Sequence, residues 1–313
     1  MGARALVVGG NGFIGSTLVK RLLADGYVVR VLDRGVPRVD FDWRGVDYVQ
    51  GDLSGRELDD VVGGSEVVFH LASSTVPSTS NNDPHGDVTS NLLGALSLMH
   101  SMRRVGSSRI VFLSSGGTVY GNPPVSPVRE DAPLCPISSY GVVKVAIEKY
   151  LGMYEALGDL SPLVIRPSNP YGPGQSIAGQ QGAIAVFLGK ALRGEPVEIW
   201  GDGSVVRDYI YIDDLVDMIM KAASGGVTGT FNAGSGRGYS LREVCDAIRR
   251  VSGVPLQILY RESRGFDVRR VVLDITAARE AFGWAPATGL DYGLELTWHY
   301  LTQYYCGHDN NER

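Results

Sequence analysis

Residues 5–15 read ALVVGGNGFIG, and this stretch decides the fold. The apolar run at its start is typical of a buried strand, and Gly9, Gly12 and Gly15 follow in a spacing that opens an apolar helix. Glycines permit a tight turn and a close approach of backbone to phosphate, and a helix N-terminus offers free N–H groups to an anion. The stretch therefore predicts a strand–turn–helix unit that holds the pyrophosphate of a dinucleotide.

The alternation of strand and helix continues outward through the first half of the chain. Strands are predicted at 5–10, 28–33, 46–51, 67–72, 109–115 and 162–167, and helices at 13–25, 88–105 and 138–157. The strands are apolar nearly throughout, as strands covered on both faces must be. This order predicts an α/β protein with a doubly wound parallel Rossmann sheet.

The alternation loosens after about residue 166. Helices predicted at 182–193, 213–224 and 240–251 mix there with short strands. We therefore expect a Rossmann domain over 1–165 and a smaller mixed α/β substrate-binding domain over 166–313, partly interleaved with the first. Ligands of open α/β sheets bind at the carboxyl ends of the strands, so we expect the second domain to close over that edge.

Composition and charge narrow the function classes. The 313 residues are 44% hydrophobic and carry a formal net charge of −5, which offers no basic surface to nucleic acid. The apolar runs are shorter than the roughly 18 residues that a membrane span needs. Three cysteines without paired spacing indicate a reducing compartment, and neither a disulfide framework nor a metal site. We expect a cytoplasmic protein with no nucleic-acid or membrane partner.

Acidic residues after the second and third strands bear on the choice of cofactor. Asp33 ends the second strand, 18 residues after Gly15. A carboxylate there can accept hydrogen bonds from the ribose hydroxyls and would repel a 2′-phosphate, so NAD is favoured over NADP. Arg34 is adjacent, and an arginine can tolerate that phosphate, which leaves NADP open. Asp52 either hydrogen-bonds the adenine amine or serves as an ordinary helix N-cap.

Tyr140 and Lys144 stand four residues apart, on one face of the predicted helix 138–157. A cation beside a phenol favours the phenolate, so Lys144 is expected to lower the pKa of Tyr140 toward the range of a general base. Tyr140 follows Ser115 by 25 residues in a dinucleotide fold. This context favours a catalytic pair over a chance surface pair.

Together these motifs resemble those of the extended short-chain dehydrogenases/reductases, in the NAD-dependent sugar epimerase/dehydratase group. The resemblance covers nearly the whole chain. Its parts are GGNGFIG (9–15), GDL (51–53), HLAS (70–73), SSGGTVYG (114–121), YGVVK (140–144), RPSNPYGPGQ (166–175), GDGSVVRDYIYIDDL (201–215) and RGFDVRRVVLD (264–274). It implies an NAD-dependent 4-epimerase of UDP-hexose, UDP-N-acetylhexosamine or UDP-hexuronate. Such an enzyme oxidises the sugar transiently at C4 and returns the hydride to the other face.

The resemblance also implies which residues touch each ligand. The cofactor contacts carried over are Gly9, Gly12, Phe13, Ile14, Gly15, Asp33, Arg34, Asp52, Leu53, Leu71, Ala72, Ser73, Asn91, Ser114, Ser115, Tyr140, Lys144 and Pro167. The substrate contacts carried over are Gly116, Gly117, Thr118, Asn169, Gln181, Arg207, Arg264, Asp267 and Val271. The two arginines suit a diphosphate, because a guanidinium can grip phosphate oxygens in bidentate fashion. The modest size of Val271 implies room for an N-acetyl group on the sugar.

The chain departs from the epimerase-like members at one catalytic position. Those members carry a catalytic Ser or Thr three residues ahead of the Val in Val-Tyr-Gly, and here that residue is Gly116. Positions two apart on an extended segment point the same way, so we expect Thr118 to supply the hydroxyl. Ser115 would point to the other side. The alternative is that Tyr140 works alone.

The same loop separates the possible reactions. Members that eliminate water across C5–C6 or decarboxylate a uronic acid carry carboxylates there, whereas this loop reads Gly-Gly-Thr. A dehydratase or a 4-ketoreductase is therefore the second hypothesis, and a catalytically silent NAD-binding sensor is the third. Helices 88–105 and 138–157 resemble the pair that forms a dimer interface in relatives, which implies a homodimer.

Overall fold

A computed structural model of the protein describes residues 2–55, 57–178, 182–263 and 268–308. The strands are β1 (Arg4–Val8), β2 (Val28–Asp33), β3 (Val46–Gln50), β4 (Val67–His70), β5 (Arg109–Leu113), β6 (Ser161–Pro167), β7 (Asn169–Tyr171), β8 (Val197–Trp200), β9 (Val206–Tyr211), β10 (Gly229–Ala233), β11 (Gly238–Ser240), β12 (Ile258–Arg261) and β13 (Arg270–Val271). The helices are α1 (Phe13–Ala24), α2 (Leu58–Val62), α3 (Pro84–Asp87), α4 (Gly94–Val105), α5 (Ser139–Ala156), α6 (Ala183–Arg193), α7 (Ile212–Ser224), α8 (Leu241–Ser252), α9 (Thr276–Phe282) and α10 (Leu290–His308). A π-helical segment, Val88–Leu93, joins α3 to α4.

A parallel sheet of seven strands forms the centre of the fold, in the order β10-β6-β5-β4-β1-β2-β3. Every neighbouring pair in it is parallel. The predicted doubly wound Rossmann sheet is therefore confirmed. Each predicted strand and helix of the first half is present within a few residues, and the helix predicted over 88–105 begins earlier, with α3 and the π-helical segment.

The core lies on both faces of this sheet, because successive side chains of a buried strand point to opposite faces. Val7 of β1 belongs to the cluster that includes Leu18 of α1, and Leu6 belongs to the cluster that includes Leu98 and Ile147 of α4 and α5. All these side chains are almost completely buried. The apolar composition of the strands thus follows from their double cover.

The smaller sheet is mixed, as predicted. Its central strand β9 runs antiparallel to β11 and parallel to β7 and β13, and β8 pairs with β12 separately. Only Ser168 separates β6 from β7, so the chain passes directly from the large sheet into the small one. This passage forms one wall of the cleft between the sheets.

The strand β10 lies in the second half of the chain but does not join the small sheet. β10 extends the large sheet, with Ala233 opposite Pro167 of β6. The interleaving of the two halves is thus part of the sheet itself, and a boundary at residue 165 stays a prediction.

A buried ion pair joins the large sheet to α5. Arg166 of β6 donates to Glu148 through Nε, at 3.0 Å, and through a terminal nitrogen, at 2.6 Å, and both side chains are about 95% buried. Arg166 also donates to the Tyr120 hydroxyl at 2.9 Å, and the Ser114 hydroxyl donates to Glu148. These bonds hold β5, β6 and α5 in one arrangement.

Removing one partner of this pair should destabilise the protein strongly. In Glu148→Gln the guanidinium of Arg166 stays buried without a counter-charge, so the free energy of unfolding is expected to fall by about 3–5 kcal/mol. Denaturant unfolding measures the change. The matched control is Asp42→Asn, which breaks the exposed pair with Arg44 and should leave the unfolding free energy nearly unchanged. Equal, small effects of both substitutions would contradict the account.

Candidate active site

A cleft made of three joined cavities runs along the carboxyl ends of the large sheet's strands. The first cavity has about 680 Å³, the second about 960 Å³ and the third about 310 Å³. Gly9 and Gly12 line both the first and the second, and Asn169 and Arg207 line both the second and the third. The shared residues make the cleft continuous, so it can hold two elongated ligands end to end.

The glycine turn lies where the first two cavities meet. Gly9 has a φ of +87°, and a Cβ there would lie 2.7 Å from the amide nitrogen of Ala72. A Cβ at Gly15 would lie 2.1 Å from the carbonyl oxygen of Gly9. Gly12 precedes α1 and provides no side-chain cap, so the first N–H groups of α1 face the cleft. The turn therefore fits a pyrophosphate, as predicted.

The predicted adenosine contacts meet in the first cavity. Its lining includes Asp33, Arg34, Asp52, Leu53, Leu71, Ala72, Ser73 and Asn91. The Asp33 carboxylate accepts from the backbone N–H of Asn11 at 3.0 Å and of Gly35 at 2.9 Å, which fixes it at the end of β2. Asp52 is not the N-cap of α2: it accepts from the Ser54 N–H at 2.8 Å, and α2 begins at Leu58. The cavity thus presents carboxylates suited to ribose and adenine.

Tyr140 and Lys144 lie in the second cavity, together with Ser114, Ser115 and Pro167. Lys144 is buried and donates to the Leu113 carbonyl oxygen at 2.9 Å. Its Nζ lies 5.5 Å from the centre of the Tyr140 ring. The structure therefore brings the predicted catalytic pair together at the carboxyl end of β5.

The prediction that Lys144 lowers the pKa of Tyr140 is wrong: among the effects of the protein itself on this phenol, burial is the largest. Burial raises the pKa of Tyr140 to about 12, opposed by the Ser115 hydroxyl and reinforced by the charge of Asp87. Burial also lowers the pKa of Lys144 to about 8, opposed by the charges of Glu148 and Asp87. Desolvation is the largest cause for both groups: it outweighs the Ser115 hydroxyl at Tyr140 and the charges of Glu148 and Asp87 at Lys144.

The backbone around Thr118 also differs from the prediction, and the catalytic role of its hydroxyl stays a prediction. Residues 116–120 form a turn and not an extended segment, because the N–H groups of Thr118 and Val119 both donate to the Ser115 carbonyl oxygen. The alternation rule that singled out Thr118 therefore does not hold here. Thr118 still lines the second cavity, where its hydroxyl is buried with no hydrogen-bond partner among the described residues. The Ser115 hydroxyl lies close enough to the phenol to lower the pKa of Tyr140, against the effect of burial.

Gly116 stays only a predicted substrate contact. It is absent from the described lining of the three cavities. A Cβ at this position would lie 2.5 Å from Leu273 Cδ1 and 3.0 Å from the Arg166 carbonyl oxygen. A hydroxyl-bearing side chain would point into the protein, which gives a physical reason for the glycine.

The other predicted substrate contacts come together only in part. Gly117, Asn169 and Arg207 line the second cavity, and Arg207 donates to the Val268 carbonyl oxygen at 2.7 Å. Gln181, Arg264 and Asp267 lie outside the described residues.

The position of Val271 beside the sugar stays a prediction. Val271 is 2% exposed and packs in a small core cluster with Val119, Val128 and Leu273. The pairing of β13 with β9 turns this side chain into the core.

The third cavity contains the predicted contacts Asn169 and Arg207 and part of the stretch Gly182–Ile184, where a uridine pocket is expected, but sequence reasoning missed its aromatic side chains. Its lining is largely apolar and aromatic, and includes Ile184, Phe187, Trp200, Tyr209 and Leu241. The hydroxyl of Tyr209 is buried there with no hydrogen-bond partner among the described residues. Two signals in the sequence could have predicted this lining: the alternation in VEIW (197–200) and the aromatic run YIY (209–211).

Two features of the described residues limit the chemistry. The described lining of the second cavity contains no Asp or Glu, and its charged members are Lys144 and Arg207. Within the described ranges, no group of three His, Cys, Asp or Glu side chains is arranged to hold a metal ion.

None of the described helices is both long and apolar enough to cross a membrane.

The chain is similar to known proteins over almost its full length. It is 42% identical, over 308 residues, to a UDP-glucose 4-epimerase of Mycolicibacterium smegmatis, covering 94% of this chain and 97% of that protein. Its structure matches a UDP-glucose 4-epimerase of Thermotoga maritima with UDP-glucose, with a TM-score of 0.93, 35% identity and coverage of 96% and 99%. It also matches the Thermus thermophilus UDP-glucose 4-epimerase in complex with NAD, with a TM-score of 0.89, 34% identity and coverage of 95% and 98%.

The sequence model of the NAD dependent epimerase/dehydratase family matches residues 5–234, which include the glycine turn, the Tyr140–Lys144 pair and Arg207. With these residues placed along one cleft, the chain belongs to the NAD dependent epimerase/dehydratase family.

Proposed function

We propose that the protein is an NAD-dependent nucleotide-sugar 4-epimerase that acts on a UDP-hexose. The observation that carries the proposal is the meeting of Tyr140, Lys144 and Ser115 in a cavity whose described lining has no carboxylate. The relatives support it, since those compared above are UDP-glucose 4-epimerases and one of them is a complex with UDP-glucose. UDP-N-acetylhexosamine and UDP-hexuronate are the other sugars to be tried.

The residues along the first cavity fit NAD. The glycine turn and the N-terminus of α1 would hold the pyrophosphate, and the Asp33 carboxylate would accept from the adenosine ribose. Lys144 would hold the nicotinamide ribose beside Tyr140. When bound, NAD would supply the acceptor for the hydride that leaves C4 of the sugar and, once reduced, the donor that returns it. It would also supply a positively charged nicotinamide ring near the Tyr140 phenol.

In this proposal Tyr140 takes the proton from the sugar O4 and later returns it. One group suffices, because the proton leaves and re-enters at the same oxygen. Burial raises the pKa of Tyr140, so the phenolate depends on positive charge beside it, and Lys144 lies on the same face of α5. The Ser115 hydroxyl, which also interacts with the phenol, is placed to bond the same sugar oxygen.

The cavity's charges favour epimerisation over elimination. Loss of water across C5–C6 needs an acid for the leaving hydroxyl and a base for the C5 proton. The described lining offers no carboxylate for either task. Arg207, between the second and third cavities, would instead grip a diphosphate, with the nucleoside in the apolar third cavity.

We also propose a homodimer through α4 and α5, which correspond to the predicted helices 88–105 and 138–157. The exposed face of α5 carries Val142, Tyr150 and Met153, and the stripe ends at the C-cap residue Leu157; these residues are 52%, 38%, 42% and 64% exposed. Their spacing places all four within one side of the helix. An apolar stripe of this kind is typical of an association surface.

The free thiols of Cys135 and Cys245 support a reducing, cytoplasmic compartment.

The first prediction concerns turnover and the catalytic hydroxyl. Purified protein without added cofactor should convert UDP-glucose to its C4 epimer, followed by the anomeric proton signals. Tyr140→Phe should lower the rate by at least about 100-fold. Ser115→Ala should lower it by about tenfold, as expected for one lost hydrogen bond, and more than Thr118→Val does. A larger loss in Thr118→Val would return the hydroxyl to Thr118.

No turnover of any UDP-sugar, with NAD bound, would contradict the epimerase. Turnover only with added NADH or NADPH and a 4-keto sugar would identify a ketoreductase instead. Binding of NAD without turnover of either kind would identify a silent sensor.

The second prediction concerns the cofactor. Asp33→Ser removes a carboxylate that would bond the ribose hydroxyls, so NAD affinity should fall by about tenfold or more, while NADP affinity should rise. Calorimetry on the protein freed of cofactor measures both. Asp42→Ser, an exposed carboxylate outside the described cavities, is the control and should change neither. Unchanged NAD affinity in Asp33→Ser would remove the role of this carboxylate.

The third prediction concerns assembly. The double variant Met153→Glu/Leu157→Glu places two charges on the apolar stripe and should sediment as a monomer, whereas the wild type sediments as a dimer. Val39→Glu, at a fully exposed valine elsewhere, should remain a dimer. A dimer in the double variant, or a monomeric wild type, would contradict the assigned surface.

A further inference from the structure

A buried carboxylate lies between the catalytic helix and the cofactor cavity. Asp87 is 1% exposed and ends α3, just before the π-helical segment. The hydrogen-bond donors described around it are all neutral. A carboxylate buried among neutral donors, whose charge acts on both Tyr140 and Lys144, indicates a task beyond folding.

The contacts of Asp87 reach both halves of the site. One oxygen accepts from the Thr75 hydroxyl at 2.8 Å and from the Asn91 amide at 2.7 Å. The other oxygen accepts from the Ser139 hydroxyl at 2.7 Å. Asn91 lines the first cavity, Thr75 lines the second, and Ser139 directly precedes Tyr140. One carboxylate thus links the cofactor cavity to the residue beside the general base.

The segment over residues 73–82, which lines the second cavity, is bonded to the same two places. The backbone N–H of Ser139 donates to Asn81 Oδ1 at 2.8 Å, and that of Tyr140 donates to the Ser80 hydroxyl at 3.1 Å. The backbone N–H of Ser74 donates to Asn91 Oδ1 at 2.8 Å. The segment is therefore bonded at one end to the first turn of α5 and at the other to Asn91, which Asp87 orients.

The π-helical segment adds a local reason for such an anchor. π-helical turns are rare and occur frequently at functional sites. This one begins directly after Asp87 and contains Asn91, whose amide bonds back to the carboxylate. The bond fixes the direction of the Asn91 side chain.

We propose that Asp87 is a positioning residue for the reaction proposed above: through Ser139 it holds the first turn of α5, and through Asn91 it holds the rim of the cofactor cavity. The proposal rests on the proposed epimerase function for its kinetic consequences. Its structural consequence, a firm cofactor rim, does not depend on which reaction the site performs.

The charge of Asp87 gives a readout that a purely structural role would not move. The groups facing the Tyr140 phenol are Lys144 on the same helix, Ser115 from the turn after β5, and Asp87 from α3. The negative charge of Asp87 raises the pKa of Tyr140, and Tyr140 acts as a base when deprotonated. Neutralising Asp87 should therefore move the acid limb of the kcat/KM profile to lower pH.

The test uses full-length protein loaded with NAD and UDP-glucose as substrate. In Asp87→Asn, kcat should fall by about tenfold, as small misplacements of a catalytic group do, and the acid limb should shift to lower pH. NAD affinity should fall severalfold, measured by calorimetry on the protein freed of cofactor. The matched control is Asp83→Asn, which removes an exposed charge four residues earlier at the N-cap of α3. It should change none of the three quantities.

Ser139→Ala separates the two links. It keeps the charge and the bond to Asn91, so kcat should fall severalfold while NAD affinity and the acid limb stay at their wild-type values. A wild-type kcat in Asp87→Asn, or a lower kcat with an unmoved acid limb and unchanged NAD affinity, would overturn the proposal. If Asp87→Asn does not fold, a wild-type kcat in Ser139→Ala overturns it.

Failure of the proposed function would look different. If the wild type turns over no UDP-sugar, the epimerase fails, and NAD affinity alone decides the role of Asp87. A severalfold loss in Asp87→Asn, absent in Asp83→Asn, would then support the link to the cofactor rim, and equal affinities would overturn it.

Discussion

The ion pair between Glu148 and Arg166 is the constraint on which the site depends. It fixes α5 against β6, and α5 carries Tyr140, Lys144 and Glu148 at successive turns of one face. Ser114 donates to the same carboxylate, so the end of β5 is held to the same point. The catalytic groups therefore keep their relative positions because a bidentate pair, about 95% buried, allows few other arrangements.

Burial has different consequences in the second and the third cavity of the cleft. In the second cavity it raises the pKa of Tyr140 and lowers that of Lys144, so both groups are pushed toward their neutral forms. A base in such a place works only beside positive charge, which ties its action to a loaded site. In the third cavity the aromatic lining suits an uncharged ring, and Arg207 stands between the two environments.

Much of this could be predicted from sequence, because the decisive features are local. The glycine turn, Asp33 at the end of β2 and the i, i+4 pair on α5 each depend on residues close together in the chain. The failures concern tertiary structure. The period-two rule stops where β5 ends and the chain turns at 116–120. β10 joins β6 through a contact that no short pattern records.

The central claim is that one base and one hydride path serve both directions at C4, with no net redox change. UDP-glucose labelled with deuterium at C4 and incubated in ordinary water tests it most directly. The account predicts a C4 epimer that keeps the deuterium at C4, with no solvent proton entering C4 or C5 and no build-up of reduced cofactor. Loss of the label to solvent, exchange at C5, or reduced cofactor accumulating in step with the product would contradict the account.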